Sequence, residues 1–275
     1  MTRRGIAWAM AFTDLRYEVS APLATITLDR PEARNAYSEA MVKSILDALD
    51  AAADDDSVRA VILTGAGKSF HAGGDLKRMQ NQSGMFAGGP VELRRRYIEG
   101  IQRIPRRIAQ FDKPLIAAIN GAAIGAGLDL TCMCDVRIAA EGVKLGSTFV
   151  KVGLVPGDGG AYFLARTIGF PRALEMVLTG RLVTTDEALQ MGLVHRVVPR
   201  EGLMDAATES ALAIAANAPL AVSLTKRAAY RSWDADLETA LELASTYQGM
   251  VQKTDDHQEA VAAILEKRAP AFKGS

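Results

Sequence analysis

The chain has 275 residues, of which 49% are hydrophobic and 23% are charged, the balance of an ordinary globular protein. Lysine plus arginine and aspartate plus glutamate number 32 each, so no excess of positive charge attracts nucleic acid or an anionic membrane surface. The length suits one large domain or a domain with a helical appendage, and the balanced charge favours a small-molecule ligand.

Residues 1–12 are expected to form a disordered N-terminal extension. Arg3-Arg4 and the apolar run that follows faintly resemble a signal peptide, but the run is short and no convincing cleavage site precedes the next strand. Translation that begins at Met10 is an alternative account of the same residues. No stretch approaches the roughly 18 apolar residues that a membrane span needs.

Strands and helices alternate along residues 13–199. Leu15 to Val19 and Ala24 to Leu28 alternate well enough to predict a strand hairpin. Ser38 is a predicted cap for a helix that ends near Ala53. A long helical stretch is expected before Phe111. The alternation predicts an α/β core domain with parallel strand pairing, whose further strands are Val58 to Thr64, Leu115 to Ile119 and Val136 to Ala139.

Two glycine-rich turns each lie between an apolar strand and a predicted helix. The first turn is Phe70 to Asp75, and the second is Asn120 to Gly127. Where a strand passes into a helix through such small residues, backbone N–H groups are left unpaired and open to a ligand. Two turns that face one another can hold a single carbonyl oxygen from both sides and stabilise an oxyanion. Either turn alone is also explained by chain geometry.

Two cysteines, Cys132 and Cys134, stand two apart in a predicted buried helix. Side chains at this spacing do not face each other, so a disulfide is not expected. Reduced core thiols predict a cytoplasmic protein. No spacing of histidine, cysteine and acidic residues suggests a metal site.

Residues 200–275 are predicted to be helical, in alanine-rich segments broken near Pro219 and Trp233. Amphipathic helices of this composition need a neighbour to pack against. We therefore expect a region that folds back on the core or builds an oligomer interface.

Five motifs occur in order along the chain: Arg30-Pro31-x-x-x-Asn35-Ala36, Ser69 to Leu76, Lys113 to Gly121, Glu175 to Gly180 and Glu266 to Phe272. Together they resemble the crotonase, or enoyl-CoA hydratase/isomerase, superfamily over nearly the whole chain. The resemblance implies a crotonase-like ββα spiral core with a C-terminal helical trimerisation region, and a homotrimer or a dimer of trimers. It also implies an acyl-CoA thioester substrate that carries the coenzyme A itself, with no separate cofactor.

Carried over by position, the resemblance assigns the oxyanion hole to the backbone N–H groups of Gly74 and Ala126, which lie in the two turns described above. Ala72 falls where the family contacts adenine. Arg34 falls where a basic residue often meets a CoA phosphate, and it is equally compatible with an exposed loop. His71 lies within the first turn, where it either faces the substrate pocket or has a structural role.

Asp129 and Phe149 stand where hydratases of this family carry two glutamates that hold and activate water. Phe149 cannot transfer a proton, so it is expected only to line the substrate pocket. Asp158, in Pro156-Gly157-Asp158-Gly159, is the candidate partner of Asp129. Burial beside Phe149 and another carboxylate is expected to raise its pKa, which suits proton transfer. Asp158 is equally well explained as a helix N-cap.

Hydration of a 2-enoyl-CoA is the first functional hypothesis, with Asp129 and Asp158 as the catalytic acids. Isomerisation of a 3-enoyl-CoA to a 2-enoyl-CoA needs one base and fits the missing second glutamate at least as well. A hydrolase or dehalogenase that uses an aspartate, and a catalytically degenerate acyl-CoA-binding protein, are the remaining alternatives.

Overall fold

The computed structural model describes residues 12–275, in which helices surround two β-sheets. The strands are β1 (Leu15–Ser20), β2 (Leu23–Leu28), β3 (Ala60–Gly65), β4 (Ser69–His71), β5 (Leu115–Ile119), β6 (Ala122–Ile124), β7 (Val136–Ala140), β8 (Leu145–Gly146) and β9 (Arg196–Val198). The helices are α1 (Glu39–Asp54), α2 (Leu76–Gln80), α3 (Pro90–Glu99), α4 (Arg103–Ile108), α5 (Ala126–Cys132), α6 (Gly160–Ile168), α7 (Phe170–Thr179), α8 (Thr185–Gln190), α9 (Leu203–Ala215), α10 (Pro219–Ser232), α11 (Leu237–Val251) and α12 (Asp255–Glu266).

The larger sheet has six strands in the order β1-β2-β3-β5-β7-β9. β1 and β2 pair antiparallel, and every later pair is parallel. The predicted hairpin and the predicted parallel pairing are therefore confirmed. Every residue of β3 and β5 is buried, because helices cover a parallel sheet on both faces and leave no polar side to the strand.

The smaller sheet has three parallel strands in the order β4-β6-β8 and brings the two glycine-rich turns together. The sequence analysis did not predict these strands, because two or three residues are too few to show an alternating pattern. Ser69 of β4 pairs with Ala122 of β6. A Cβ placed on Gly121 would overlap the Lys68 carbonyl, and one placed on Gly127 would overlap the His71 carbonyl. Glycine at these two positions lets the backbones touch.

Helix α1 begins as predicted, because the Ser38 hydroxyl accepts a hydrogen bond from Met41 N at 2.9 Å. The predicted long helical stretch before Phe111 is instead divided into α2, α3 and α4 and a short 3₁₀ turn at residues 84–86. The glycines in this stretch explain the division. Gly84 has a φ of +61° and Gly88 a φ of +106°, both outside the helical region.

The C-terminal part of the chain contains α9 to α12. α9 packs against the larger sheet and buries a row of alanines, whereas no residue of α11 is buried. Of the predicted N-terminal extension, only Phe12 lies within the described residues, and its ring packs 5.6 Å from that of Tyr17. No single helix in residues 12–275 has the length and apolar composition of a membrane span, although residues 200–215 and 219–232, which meet at a bend of 102°, pass that test as a pair.

Candidate active site

Hydrogen bonds fix the first glycine-rich turn and leave the amide of Gly74 free. Gly73 N donates to His71 Nδ1 at 2.8 Å, and the Gly73 carbonyl accepts from Tyr37 N at 2.9 Å. Gly74 N, the next amide, donates to no acceptor within residues 12–275. The turn therefore presents the unpaired N–H group of Gly74 on a backbone that hydrogen bonds hold in place.

The second glycine-rich turn also presents an unpaired N–H group. Gly125 has a φ of +56°, and its amide donates to the Gly146 carbonyl at 2.8 Å. Ala126 opens α5, and its N–H has no acceptor in the described part of the chain, as expected for the first turn of a helix. A Cβ placed on Gly73 would lie 3.2 Å from Ala126 N, so the two turns are in contact beside the free amides.

Both free amides border one cavity of about 410 Å³. Gly74 and Ala126 lie on its wall, and so do Tyr37, Tyr97 and Asp158. Apolar side chains of the wall come from α2, from the 3₁₀ turns at residues 84–86 and 149–152 and from loops: Met79, Met85, Phe86, Ile101, Phe149, Val152 and Leu154. The wall also carries the charged residues Glu39, Lys43, Arg96, Glu99 and Arg103. The predicted pocket residue Phe149 is thus part of the wall, and a Cβ on Gly125 would lie 3.8 Å from its ring.

Asp129 and Asp158 form a buried carboxyl pair at the end of this cavity. Asp158 reaches the cavity wall and is 2% exposed, whereas Asp129 is fully buried and does not line the cavity. Within the described residues, no group other than the carboxyl groups themselves makes a hydrogen bond of normal geometry to any of their four oxygens. A Cβ on Gly160 would overlap the Asp129 carboxyl, so glycine at the start of α6 makes room for it.

Burial raises the pKa of Asp129 well above its usual value, and the charge and hydrogen bonding of Asp158 raise this pKa further. Burial also raises the pKa of Asp158, against the opposing effect of its contact with the Asp129 carboxyl. Two carboxyl groups in such contact do not both ionise, so the pair shares a proton. Burial disfavours the ionised form of Asp129 more than that of Asp158, which lies at the cavity. The shared proton is therefore assigned to Asp129.

The alternative prediction that Asp158 caps a helix is wrong. The helix α6 begins at Gly160, and Gly159 occupies the cap position with a φ of +97°. Neither oxygen of Asp158 makes a capping hydrogen bond of normal geometry. Asp158 is instead one of the residues that line the cavity.

His71 lies behind the first turn, outside the residues that line the cavity. It is fully buried, its ring packs edge-on against Tyr37 with centroids 4.1 Å apart, and burial lowers its pKa to about 3. Because Nδ1 accepts from Gly73 N, the proton of this neutral imidazole resides on Nε2. His71 therefore holds the turn in shape and does not face the pocket.

A second cavity, of about 750 Å³, adjoins the first and shares Ala72, Gly74, Leu76 and Ile124 with it. Arg34 lies on its wall at the surface, and the Arg34 carbonyl accepts a hydrogen bond from Ala72 N at 3.0 Å. Arg30 and Arg78 on the same wall are paired with carboxylates. Within residues 12–275, Arg34 and Lys77 of this wall form no ion pair, which leaves two cations for an anionic ligand.

Sequence reasoning missed Tyr37, Tyr97 and Lys77. Tyr97 packs over Gly157, since a Cβ there would lie 2.8 Å from the ring, and Gln102 holds the same loop by a 2.8 Å bond to the Gly157 carbonyl. No local motif indicates these residues, because only the packing of distant segments brings them to the two cavities: Tyr37 precedes α1, Lys77 lies on α2 and Tyr97 on α3. Cys132 and Cys134 are both buried and form no disulfide with each other. Among residues 12–275, no group of three or more His, Cys, Asp or Glu side chains is arranged to hold a metal ion.

Comparison with known proteins agrees with this geometry. The family model described as Enoyl-CoA hydratase/isomerase matches residues 18–275. A short-chain-enoyl-CoA hydratase of Clostridium acetobutylicum is 37% identical over 260 residues, which cover 94% of this chain and 97% of that protein. A 2,3-dehydroadipyl-CoA hydratase of Escherichia coli is 35% identical over 249 residues, covering 90% of this chain and 94% of the relative.

The fold is similar to that of an enoyl-CoA hydratase from Bacillus anthracis, with a TM-score of 0.90 and 36% identity, over 96% of this chain and 100% of the other. Family, sequence and structure therefore agree over nearly the full length. The chain belongs to the enoyl-CoA hydratase/isomerase family.

Proposed function

We propose that the protein hydrates a 2-enoyl-CoA, with the amides of Gly74 and Ala126 as its oxyanion hole and Asp158 as its acid and base. The observation that carries this proposal is the pair of unpaired amides on the wall that Asp158 also reaches. A thioester oxygen held by both N–H groups draws charge out of the double bond. The β-carbon then accepts a nucleophile, and the enolate charge that develops is stabilised where it forms.

In the proposed reaction, Asp158 takes a proton from water while the water oxygen bonds to the β-carbon. The electron pair of the double bond moves through the α-carbon to the thioester oxygen. Asp158 then returns the proton to the α-carbon and regains its charge. Asp129 keeps its own proton throughout and donates a hydrogen bond to Asp158, so it acts through Asp158 as a positioning residue.

Coenzyme A would occupy the second cavity, with the adenine at Ala72 and the phosphates near Arg34 and Lys77. The support is the adjacency of the two cavities and the two unpaired cations on the second wall. Phosphate is recognised by such side chains through charge-assisted hydrogen bonds. No separate cofactor takes part in this scheme. Assembly through the C-terminal helices into a trimer or a dimer of trimers, and a cytoplasmic location, belong to the same proposal.

A second candidate reaction is isomerisation of a 3-enoyl-CoA. It is favoured by one observation: Asp158 reaches the cavity, Asp129 does not, and apolar Phe149 occupies the wall nearby. A single base that removes a proton from the α-carbon and returns it to the γ-carbon is sufficient for that reaction.

Separate incubations with crotonyl-CoA and 3-hexenoyl-CoA distinguish the two reactions. Hydration predicts loss of the enoyl absorbance of crotonyl-CoA, and Asp158→Asn is expected to lower that rate by about 10²- to 10⁴-fold. Conversion of 3-hexenoyl-CoA with no change in crotonyl-CoA would assign the protein to isomerisation instead. The matched control is Asp186→Asn, an exposed acidic residue of α8 away from both cavities.

A further inference from the structure

Tyr37 is a cavity residue with an unusually fixed position. Its amide donates to the Gly73 carbonyl at 2.9 Å, next to the free amide of Gly74. Its ring packs edge-on against His71 and is 1% exposed, yet it belongs to the cavity wall. Two anchors, one through its amide and one through its ring, hold Tyr37 beside the first glycine-rich turn.

The charged and titratable groups around Tyr37 come from several elements. Asp129 lies on α5, Asp158 precedes α6, Cys134 follows α5 and His71 ends β4. Burial raises the pKa of Tyr37 well above its usual value, and the charges of Asp158, Asp129 and Cys134 raise it further. The neutral His71 adds no charge. Tyr37 therefore remains a phenol, which both donates and accepts hydrogen bonds, throughout the working pH range.

Hydration requires more than one group at the attacking water. Asp158 accepts a proton from it, but a water held by one contact is free to rotate away from the β-carbon. Phe149 offers no polar atom. The hydroxyl groups on the same wall are those of Tyr37, Tyr97 and Thr148. Tyr97 stands on α3 and is less buried, whereas Tyr37 is bonded to the first turn itself.

We infer that Tyr37 is a further catalytic residue, whose hydroxyl and the Asp158 carboxylate together hold the water that attacks the β-carbon. This inference rests on the proposed hydration. Tyr37 accepts one hydrogen of the water or donates to its oxygen, while the other hydrogen passes to Asp158. Removal of the α-proton from a saturated acyl-CoA needs Asp158 and the oxyanion hole but no attacking water, so it does not need the Tyr37 hydroxyl.

The test compares two reactions in Tyr37→Phe, which keeps the ring packed against His71. Hydration of crotonyl-CoA is expected to fall by about 10- to 100-fold in kcat with KM unchanged. Exchange of the α-protons of butyryl-CoA in heavy water, followed by NMR, is expected to stay at the wild-type rate. Asp158→Asn is expected to lose both reactions. The control is Tyr17→Phe, which removes an unpartnered hydroxyl on β1 and should change neither.

Tyr37→Phe with wild-type hydration would overturn the inference, and so would an equal loss of hydration and exchange. Loss of hydration in Tyr97→Phe with none in Tyr37→Phe would transfer the role to Tyr97. A wild-type protein that exchanges butyryl-CoA protons but hydrates no crotonyl-CoA would instead overturn the proposed function. Different results would therefore overturn the inference about Tyr37 and the proposed function.

Discussion

Asp129 and Asp158 differ in their position relative to the cavity, and the proposed function gives them different roles. Asp158 lies on the cavity wall, where the proposed reaction has it exchange a proton with the substrate, and Asp129 is fully buried and lies outside the lining residues. Ionisation of an enclosed carboxyl group destabilises the folded protein, because the carboxylate lacks hydration and has no cationic partner. Such a loss of folding stability is expected at a catalytic site, where stability and activity compete.

Asp129→Asn is predicted to stabilise the protein at alkaline pH while it lowers activity. A carboxyl whose folded pKa is raised contributes stability at low pH, and that stability is lost as the pH rises through the folded pKa. Asparagine has a similar shape and does not ionise. At pH 8 we expect the melting temperature of the variant to exceed that of the wild type by about 2 °C or more. An unchanged or lower melting temperature at pH 8 would contradict this account.

His71 has the opposite pH dependence. The pKa of His71 in the folded protein is about 3, below its ordinary value. As the pH falls, the unfolded chain therefore binds a proton at this imidazole that the folded protein does not bind. A change from pH 7 to pH 5 should therefore lower the free energy of unfolding by about 2 kcal/mol. His71→Asn keeps an acceptor for Gly73 N without the titration. Urea unfolding at both pH values should show a smaller loss in the variant, and equal losses would refute the assignment.

At the scale of elements, the site depends on how closely the start of α6 approaches α5. Gly160 is the residue that permits this approach, because any side chain there would overlap the Asp129 carboxyl. Gly160→Ala is predicted to displace the carboxyl pair and lower kcat by about 10-fold or more, with little change in KM. Gly249→Ala in α11, where a Cβ would meet nothing within 4 Å, is the matched control. Equal kcat values in the two variants would contradict the prediction.

The elements also show which parts of the fold a single sequence reveals. The hairpin before Leu28 and the helix after Ser38 were predictable, because alternation and capping are local signals. β4, β6 and β8 were not, because they are too short to carry a pattern. The glycine turns could be located from the sequence, but the hydrogen bond from Gly73 N to His71 Nδ1 depends on side-chain geometry that no local pattern shows. The place of Tyr37 on the cavity wall depends likewise on contacts between distant segments.

At the scale of the whole molecule, the C-terminal helices leave large apolar side chains in solvent. Ile264 and Leu265 of α12 are 76% and 77% exposed, and Leu237 of α11 is 71% exposed. Such side chains, when they are grouped on helices that bury little within their own chain, are typical of an interface between subunits. They are the support for assembly through this region.

Light scattering is predicted to give three or six times the mass of one chain. Ile264→Asp, which places a charge on this surface, should lower that mass toward a single chain. Val91→Asp on α3 changes an equally exposed residue, 85% accessible, outside the C-terminal region and serves as the control. A monomeric wild type, or an assembly that Ile264→Asp leaves intact, would count against this interface.

The most direct measurement is a crystal structure of the protein with a slowly reacting acyl-CoA thioester bound. The account predicts that the thioester oxygen lies about 3 Å from both Gly74 N and Ala126 N, with Asp158 facing the carbons next to it. A thioester oxygen bound elsewhere, or held by only one of these amides, would contradict it.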